Sequence, residues 1–250
     1  MMTAASAAVA AAAGLAAGWS QRSLVFRYAV PPGDPPRRGC PACGFPVLPA
    51  WRAAWPPLAS SARCPDCRGV PAPRAGTAGA VSAILLAALA ARIHPGLVLA
   101  AACWLALCAV PLAFIDAQVQ RLPDILTVPA YAGTVMLLLV AAGTGGYWGL
   151  LARAVAGGLA MAGFYAALTL LRPLGLGGGD SRMAASLGTL LAWQGWPALA
   201  GGLIAGLLLF TVWAAAMLAA RRAARGQKLP YGPVMIAGAF LVVLLGTCRF

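Results

Sequence analysis

Acidic residues are almost absent from this sequence of 250 residues, which contains no glutamate and only five aspartates. Charged residues of both signs make up 9% of the chain, whereas a soluble globular domain carries about 25%. Hydrophobic residues account for 62%, and the mean hydropathy is +0.84. This balance excludes a soluble globular domain, a disordered chain and a secreted disulfide scaffold. It predicts a membrane protein with several spanning segments.

Eight apolar stretches are candidate membrane helices. They cover residues 3–19, 76–91, 96–115, 125–142, 148–171, 183–193, 198–220 and 232–245. The sixth is short, and is either a half-helix or continues across Trp193. The first has no Lys or Arg before it, so we expect a retained anchor and not a cleaved signal. The sequence therefore predicts an all-α, polytopic membrane helical bundle with about eight transmembrane helices.

The basic residues give the orientation of this bundle. A net charge of +13 is also typical of proteins that bind nucleic acid, but these residues flank the apolar stretches, so no nucleic-acid partner is predicted. With an external N-terminus, all of the 18 basic residues except Arg92, Arg153 and Arg249 lie on the cytoplasmic side. All five aspartates then lie at or near the cytoplasmic face. Three tryptophans fall near the outer interface, where we expect membrane anchors: Trp148, Trp193 and Trp196.

Residues 20–75 differ from the rest of the chain. They are rich in Pro, Arg and Cys, hold no spanning stretch and predict a small cytoplasmic insert. Two C-x-x-C pairs within them have the spacing of a structural zinc site with four sulfur ligands. Disulfide or redox chemistry is the alternative, which a reducing cytoplasm disfavours. The pairs are Cys40 with Cys43 and Cys64 with Cys67, while Cys103, Cys108 and Cys248 are interpreted as small buried apolar residues.

Two aspartates stand at the edges of apolar stretches. Asp116 follows the third stretch, and Asp180 follows three consecutive glycines. A carboxylate at this depth usually faces a protein interior or a water-filled cavity. Two carboxyl groups brought together would share a proton, which is the device of aspartic proteases. The glycines would let another segment of backbone approach closely.

These aspartates also have other interpretations. Asp180 and Asp124 each stand before or at the start of a helical stretch and could be helix caps. Asp116 could pair with Arg121. The single histidine, His94, is predicted on the outer side, so no Ser–His or Cys–His pair is available at the cytoplasmic face.

Residues 115–129 read IDAQVQRLPDILTVP, and residues 177–188 read GGGDSRMAASLG. Together with the two C-x-x-C pairs after the first stretch, these segments resemble the bacterial type IV prepilin peptidases, which are membrane aspartic proteases of the GxGD class. The resemblance extends over essentially the whole chain, in order and with similar spacing. It implies a transmembrane helix at 1–19, a zinc-binding cytoplasmic insert at 20–75 and a transmembrane peptidase domain at 76–250.

The resemblance also implies roles for single residues. Asp116 and Asp180 match the two catalytic aspartates, Asp124 is part of the motif with a positional role, and Cys40, Cys43, Cys64 and Cys67 match the zinc ligands. The implied substrates are prepilin or pseudopilin precursors, cut on the cytoplasmic side after a glycine that precedes a hydrophobic helix. The implied location is the bacterial inner membrane.

Many members of this family also methylate the new N-terminus with S-adenosylmethionine. In this chain residues 69–75 lack the family's acidic and aromatic residues, the Asn-containing segment is altered at residues 18–28, and Arg182 stands in place of a lysine. Methylation is therefore left open, and S-adenosylmethionine is expected as a cofactor only where that activity is present. The sequence also agrees with two alternative functions. One is a GxGD protease for another membrane signal segment, and the other is a non-catalytic membrane scaffold or transporter with an aspartate-lined ion path.

Overall fold

The computed structural model describes residues 2–31, 33–45, 64, 66–68, 73–74, 76–94, 96–170, 178–220 and 229–246. These residues form eight α-helices and no β-strand, which confirms the all-α prediction. In chain order the helices are α1 (Met2–Tyr28), α2 (Thr77–Arg92), α3 (Leu97–Val119), α4 (Asp124–Gly145), α5 (Trp148–Leu170), α6 (Gly178–Gln194), α7 (Trp196–Ala219) and α8 (Gly232–Leu245).

Four of these helices, α3, α4, α5 and α7, are long and apolar enough to cross a membrane. Two further apolar helices are shorter, with 16 residues in α2 and 14 in α8. The described part of the chain is thus a membrane-type helical bundle. Fewer helices have spanning length than the eight predicted stretches, and α2, α6 and α8 are short, with 16, 17 and 14 residues.

The helices pack mainly as neighbours along the chain. α1 lies against α2, α5 against α6 and α7 against α8, while α3 contacts α1, α2, α4, α6 and α8. The main core is centred on α3, α6 and α8, with fully or almost fully buried Leu105, Leu112, Met183, Leu190 and Phe240. This central position of α3 and α6 matters because these helices carry Asp116 and Asp180.

Glycines allow two of the helix pairs to approach closely. A Cβ atom added at Gly18 of α1 would overlap the backbone of Gly79 in α2, and one added at Gly158 of α5 would overlap Thr189 in α6. Small residues at such contacts are typical of membrane helix pairs, where backbone proximity replaces the hydrophobic driving force.

The first helix extends beyond the predicted stretch, to Tyr28 instead of residue 19. Its polar extension is buried against the neighbouring helices and is hydrogen-bonded there. Gln21 donates to the carbonyl oxygen of Leu107 at 3.0 Å and accepts from Ser82 Oγ at 2.8 Å. Hydropathy could not identify this continuation, because partners distant in sequence stabilise it.

Two expectations about the α6 region need revision. The helix begins at Gly178, before the predicted start at residue 183, so Gly178 and Gly179 are helical; Gly177 lies outside the described residues. The prediction that Trp193 is a membrane anchor is wrong, since its side chain is 1% exposed and packs in the core with Leu138. Trp148 and Trp196 are more than half exposed, as anchors would be.

Candidate active site

A cavity of about 540 Å³ lies where the end of α3, the start of α4, the start of α6 and the chain after α1 meet. Both aspartates singled out from the sequence line it. The lining residues are Tyr28, Val30, Asp34, Pro36, Asp116, Gln120, Arg121, Leu122, Pro123, Asp124, Ile125, Gly178, Gly179, Asp180 and Arg182.

Asp116 occupies the last turn of α3 and is only 4% exposed. Its Oδ2 accepts a hydrogen bond of 2.9 Å from the backbone N–H of Gly232, at the first residue of α8. A Cβ atom at position 232 would lie 2.8 Å from this oxygen, so a residue other than glycine would displace the carboxylate. The helix ends three residues after Asp116, at Val119, and the following residue, Gln120, has a φ of 52°.

Asp180 is the third residue of α6 and is 7% exposed. It lies within the first helical turn and is not the residue before the helix, which argues against the cap interpretation. A Cβ atom at Gly179 would lie 2.7 Å from the carbonyl oxygen of Leu122. The glycine therefore allows the start of α6 to lie directly against the loop between α3 and α4, as predicted, and this contact brings Asp180 to the cavity that Asp116 lines.

Asp124 and Arg182 form an ion pair at the exposed edge of the cavity. The residue before the helix is Pro123, so Asp124 is the first residue of α4 and not its cap. Arg121 donates instead to the carbonyl oxygen of Pro31 at 3.4 Å. The structure therefore gives Asp116 the Gly232 amide as a partner and does not support the alternative pairing with Arg121.

Sequence reasoning missed two features of this region. The first is Gly232, whose contact with Asp116 joins α8 to α3. The second is a pair of buried tyrosines, Tyr165 of α5 and Tyr231, whose hydroxyl oxygens are 2.6 Å apart. The only sequence signal is Pro233 after Tyr231 and Gly232, since proline is common at the first positions of a helix. It says nothing of what the helix start contacts.

His94 lies in the connection between α2 and α3, at the opposite end of α3 from Asp116. Its side chain is exposed, and it is not among the residues that line the cavity. This position agrees with the prediction that the histidine is not the base of the site.

The four cysteines of the insert form one cluster. Their sulfur atoms all lie within 4.8 Å of one another, and the Sγ–Sγ distances are 3.6 Å for both Cys40–Cys67 and Cys43–Cys64. Four sulfurs around a tetrahedral ion with bonds of about 2.3 Å are separated by about 3.8 Å. The backbone N–H groups of Ala42 and Cys43 lower the pKa of the Cys40 thiol to about 6. The backbone bond to Phe45 lowers the pKa of the Cys43 thiol, but burial and the other three sulfurs outweigh this bond, so that the pKa is raised. A low pKa favours the thiolate that a metal requires, and metal binding itself displaces the proton of a thiol such as Cys43. The donor set thus fits a metal ion.

The cluster is attached to the end of α1. Cys40 and Cys64 pack against Phe26, and the guanidinium of Arg37 lies over the ring of Phe26 at 5.7 Å. One turn away, Val25 and Ala29 contact Ile115, the neighbour of Asp116. The insert is therefore connected to the cavity by direct packing.

Comparison with known proteins agrees with this site. Residues 99–223 match the type IV leader peptidase family. The chain is 30% identical over 220 residues to a prepilin leader peptidase/N-methyltransferase of Aeromonas salmonicida, covering 84% of this chain and 72% of that protein. It is 33% identical over 231 residues to the protein of the same name in Burkholderia pseudomallei, covering 85% and 68%. The corresponding values for Pseudomonas aeruginosa are 29% over 225 residues, 84% and 72%.

No solved structure matches the chain at a significant level. The family match includes Asp116 and Asp180 and covers half of the sequence, and the relatives extend the similarity to the insert. The chain belongs to the type IV leader peptidase family.

Proposed function

We propose that this protein cleaves the leader peptides of prepilin or pseudopilin precursors through Asp116 and Asp180, on the cytoplasmic side of the membrane. Family membership gives the activity of a leader peptidase, which excludes the non-catalytic scaffold and the transporter. The observation that carries the assignment of residues is the convergence of two nearly buried carboxyl groups on one cavity.

The chemistry follows from the shared proton of such a pair. The ionised carboxylate takes a proton from water, whose oxygen attacks the scissile carbonyl carbon, while the protonated carboxyl donates to the carbonyl oxygen. The resulting tetrahedral intermediate collapses when the carboxyl that accepted the water proton gives it to the departing nitrogen. As the C–N bond breaks, the carboxylate that had donated its proton takes one back from a hydroxyl group of the intermediate, and no covalent bond to the enzyme forms. The amide of Gly232 holds Asp116 in place for both steps.

The aspartate assignment is tested with Asp116→Asn and Asp180→Asn, which keep the shape of the side chains and remove the acid. Purified protein in detergent is mixed with a prepilin-like substrate, and the product's N-terminus is identified by mass spectrometry. We expect each variant to lose at least about a hundredfold in rate. Parental cleavage rates in both would show that the reaction uses other residues. If the parent protein cleaved only another class of membrane segment, this result would favour the alternative of a GxGD protease with a different substrate.

A second feature supports a substrate with a hydrophobic helix. An apolar groove of about 600 Å³ runs between α2, α3 and α8. Phe114 and Ala117 of α3 line it on the turn that carries Asp116, and Pro233 lines it next to Gly232. A peptide whose scissile bond lies beside Asp116 would therefore extend into this apolar groove. We propose that the helix after the scissile bond occupies this groove.

Filling the groove tests this occupant. Ala237 is an exposed lining residue, so Ala237→Trp should block the groove without disturbing the core and raise KM about tenfold or more. Ala160→Trp is the matched control, because Ala160 is exposed on α5 away from both cavities. A photoreactive group in the substrate helix should crosslink to α8 and not to α5. Equal KM values for both variants would assign the groove to lipid.

We propose that the cysteine cluster binds zinc in a structural role. Four sulfur ligands complete a tetrahedral shell and leave no position for a substrate. The packing of Cys40 and Cys64 on Phe26 supports a role in fixing the end of α1. Of the predicted insert at 20–75, residues 20–28 belong to α1, so the insert would begin after Tyr28 and end at residue 75, with much of it outside the described residues. Residues 76–250 would act as the peptidase domain.

N-methylation is the second candidate activity, because the relatives' names include N-methyltransferase. Of the two altered segments, residues 18–28 lie in α1, and residues 69–72 lie outside the described part of the chain. The test is a mass spectrum of the cleaved product after incubation with S-adenosylmethionine. A mass increase of one methyl group would establish methylation, and an unmodified product from active peptidase would limit the protein to cleavage.

We propose a multi-pass location in the bacterial inner membrane. Four helices of spanning length and the flanking basic residues support it.

A further inference from the structure

The acidic residues of this protein are concentrated at one place. Of the five in the whole sequence, four line the cavity: Asp34, Asp116, Asp124 and Asp180. The chain as a whole has a net charge of +13, so its average field repels a cationic peptide. The cavity is therefore a local acidic site in a basic protein.

Three of these four carboxyl groups already have a role. Asp116 and Asp180 form the proposed catalytic pair, and Asp124 is paired with Arg182. Asp34 belongs neither to the proposed catalytic pair nor to this ion pair. It is exposed, and among the residues that the structure describes no Lys or Arg forms an ion pair with it.

The backbone holds Asp34 at the cavity through a tight turn. Its N–H donates to the carbonyl oxygen of Pro31 at 3.2 Å, and the intervening Gly33 has a φ of 96°, which other residues rarely adopt. Arg121, from the loop after α3, donates to the same Pro31 oxygen. The turn is thus held against the loop after α3, which also lines the cavity, so the backbone that carries Asp34 has a defined position.

The following segment anchors the turn to α1. The backbone N–H of Arg37 donates to the carbonyl oxygen of Arg27 at 2.8 Å, and its guanidinium donates to that of Ala29 at 3.0 Å. Since Tyr28, Val30 and Pro36 also line the cavity, this stretch forms one of its walls. Both ends of the wall are therefore held in place.

We propose that Asp34 binds a Lys or Arg side chain of the leader segment and so selects basic leaders. This inference rests on the proposed peptidase function. A short cytoplasmic segment before a membrane helix is enriched in Lys and Arg, as the positive-inside rule requires. Such a segment must lie beside the catalytic pair when the bond after it is cut, and Asp34 is the carboxylate there that has no other partner among the described residues.

The ion pair is at an exposed edge, so it acts mainly on encounter and binding and less on chemistry. Asp34→Asn should raise KM for a substrate with a basic leader by about three- to tenfold at low salt and leave kcat nearly unchanged. Asp34→Lys should raise it further. Increasing the salt concentration should raise KM for the parent protein and have a smaller effect on Asp34→Asn.

Charge reversal in both partners makes the test specific. A substrate whose leader Lys and Arg residues are replaced by Glu should be cut poorly by the parent protein and better by Asp34→Lys. The matched control is Ala219→Lys, which changes the net charge by the same +1 at the exposed end of α7, outside the cavity lining, and should leave KM unchanged. Thermal unfolding of each variant in detergent checks that the fold is retained.

The outcomes separate this inference from the proposed function. If the parent protein cuts basic leaders and Asp34→Asn has the same KM, the Asp34 assignment is wrong and the peptidase function stands. If Asp34→Asn and Ala219→Lys raise KM equally, the general charge of the protein and not Asp34 is responsible, which also overturns the assignment. If the parent protein cuts no prepilin-like substrate at all, the proposed function itself fails.

Discussion

Asp116 depends on a residue that is far from it in sequence. The Gly232 amide donates to its carboxylate, and the space between them has no room for a side chain. A catalytic carboxylate must be held close to its productive position, since a displacement of about 1 Å can lower a rate by about a hundredfold. In the proposed mechanism Gly232 is therefore a positioning residue for Asp116.

Gly232→Ala is expected to lower kcat by about ten- to a hundredfold, because the added methyl group displaces the Asp116 carboxylate. KM should change much less, since the substitution leaves the apolar groove and the cavity wall of residues 28–36 intact. Gly163→Ala in α5 is the control, because its added Cβ meets no atom within 4 Å. Steady-state cleavage assays measure both, and a normal kcat for Gly232→Ala would show that Asp116 tolerates the displacement.

Asp124→Asn tests the positional role of the third motif aspartate. Its ion pair with Arg182 is solvent-exposed, and such pairs contribute about 0–1 kcal/mol. We expect kcat to fall by less than about fivefold, because a free energy of about 1 kcal/mol corresponds to about a fivefold change in rate. The comparison is Asp180→Asn measured in the same assay. A loss as large as that of Asp180→Asn would mean that Asp124 takes part in the chemistry.

At this scale the sequence predicted the carboxyl groups and missed their partners. Asp116 and Asp180 could be found because acids are scarce and both lie at the edges of apolar stretches. Gly232 and the Tyr165–Tyr231 pair could not, because their roles arise from contacts between helices that are distant in the chain. A glycine or tyrosine in an apolar sequence has no pattern that indicates such a contact.

Helix α1 connects the insert to the membrane bundle, and its packing depends on glycine. Gly18 lies directly against the backbone of Gly79 in α2. Because α1 carries the wall of residues 28–36, its position determines where Asp34 and the other wall residues lie. A change at this distant helix contact should therefore reach the cavity.

Gly18→Leu should force α1 away from α2, with a loss of about 1–3 kcal/mol in stability from overpacking. It should also raise KM, since the wall moves with the helix. Ala16→Leu is the control, because Ala16 is on the exposed side of α1. Thermal unfolding and KM are measured together, and an unchanged KM in a destabilised Gly18→Leu protein would show that the wall is held by other contacts.

Metal removal tests the insert as a whole. We expect about one zinc per chain by elemental analysis, and loss of both zinc and activity in Cys64→Ser or after chelation. Activity should fall because the cluster packs on Phe26 and so fixes the end of α1. Restored activity after zinc is returned separates this effect from general unfolding. Cys103→Ala is the control, since Cys103 lies in α3 outside the cluster.

The existence of the helices could be predicted, but not all of their ends. Hydropathy found each apolar stretch, yet α1 continues through buried Gln21 and α6 starts at Gly178. Polar residues are stabilised there by hydrogen bonds and close contacts that exist only in the folded bundle. The burial of Trp193 has the same origin, since an indole gives the same sequence signal in a core and at an interface.

On the scale of the whole molecule, charge determines orientation. The distribution of basic residues predicts that the cavity, the insert and the ends of α1, α3, α5 and α7 lie on the cytoplasmic side. A reporter enzyme that is active only outside the cytoplasm should be active when fused after Gly146, in the connection between α4 and α5. It should be inactive when fused after Ala220. The opposite pattern would invert the topology and place the catalytic pair outside.

The two short helices, α2 and α8, lie on either side of the apolar groove. At 1.5 Å per residue their 16 and 14 residues measure only about 24 and 21 Å, against about 30 Å for the hydrocarbon core. Hydrophobic mismatch should therefore pull the two leaflets together beside the groove. The thinned lipid would bring headgroups and water close to Asp116. A peptidase that must hydrolyse a bond at the edge of a membrane would thus obtain its water by deforming the bilayer around it.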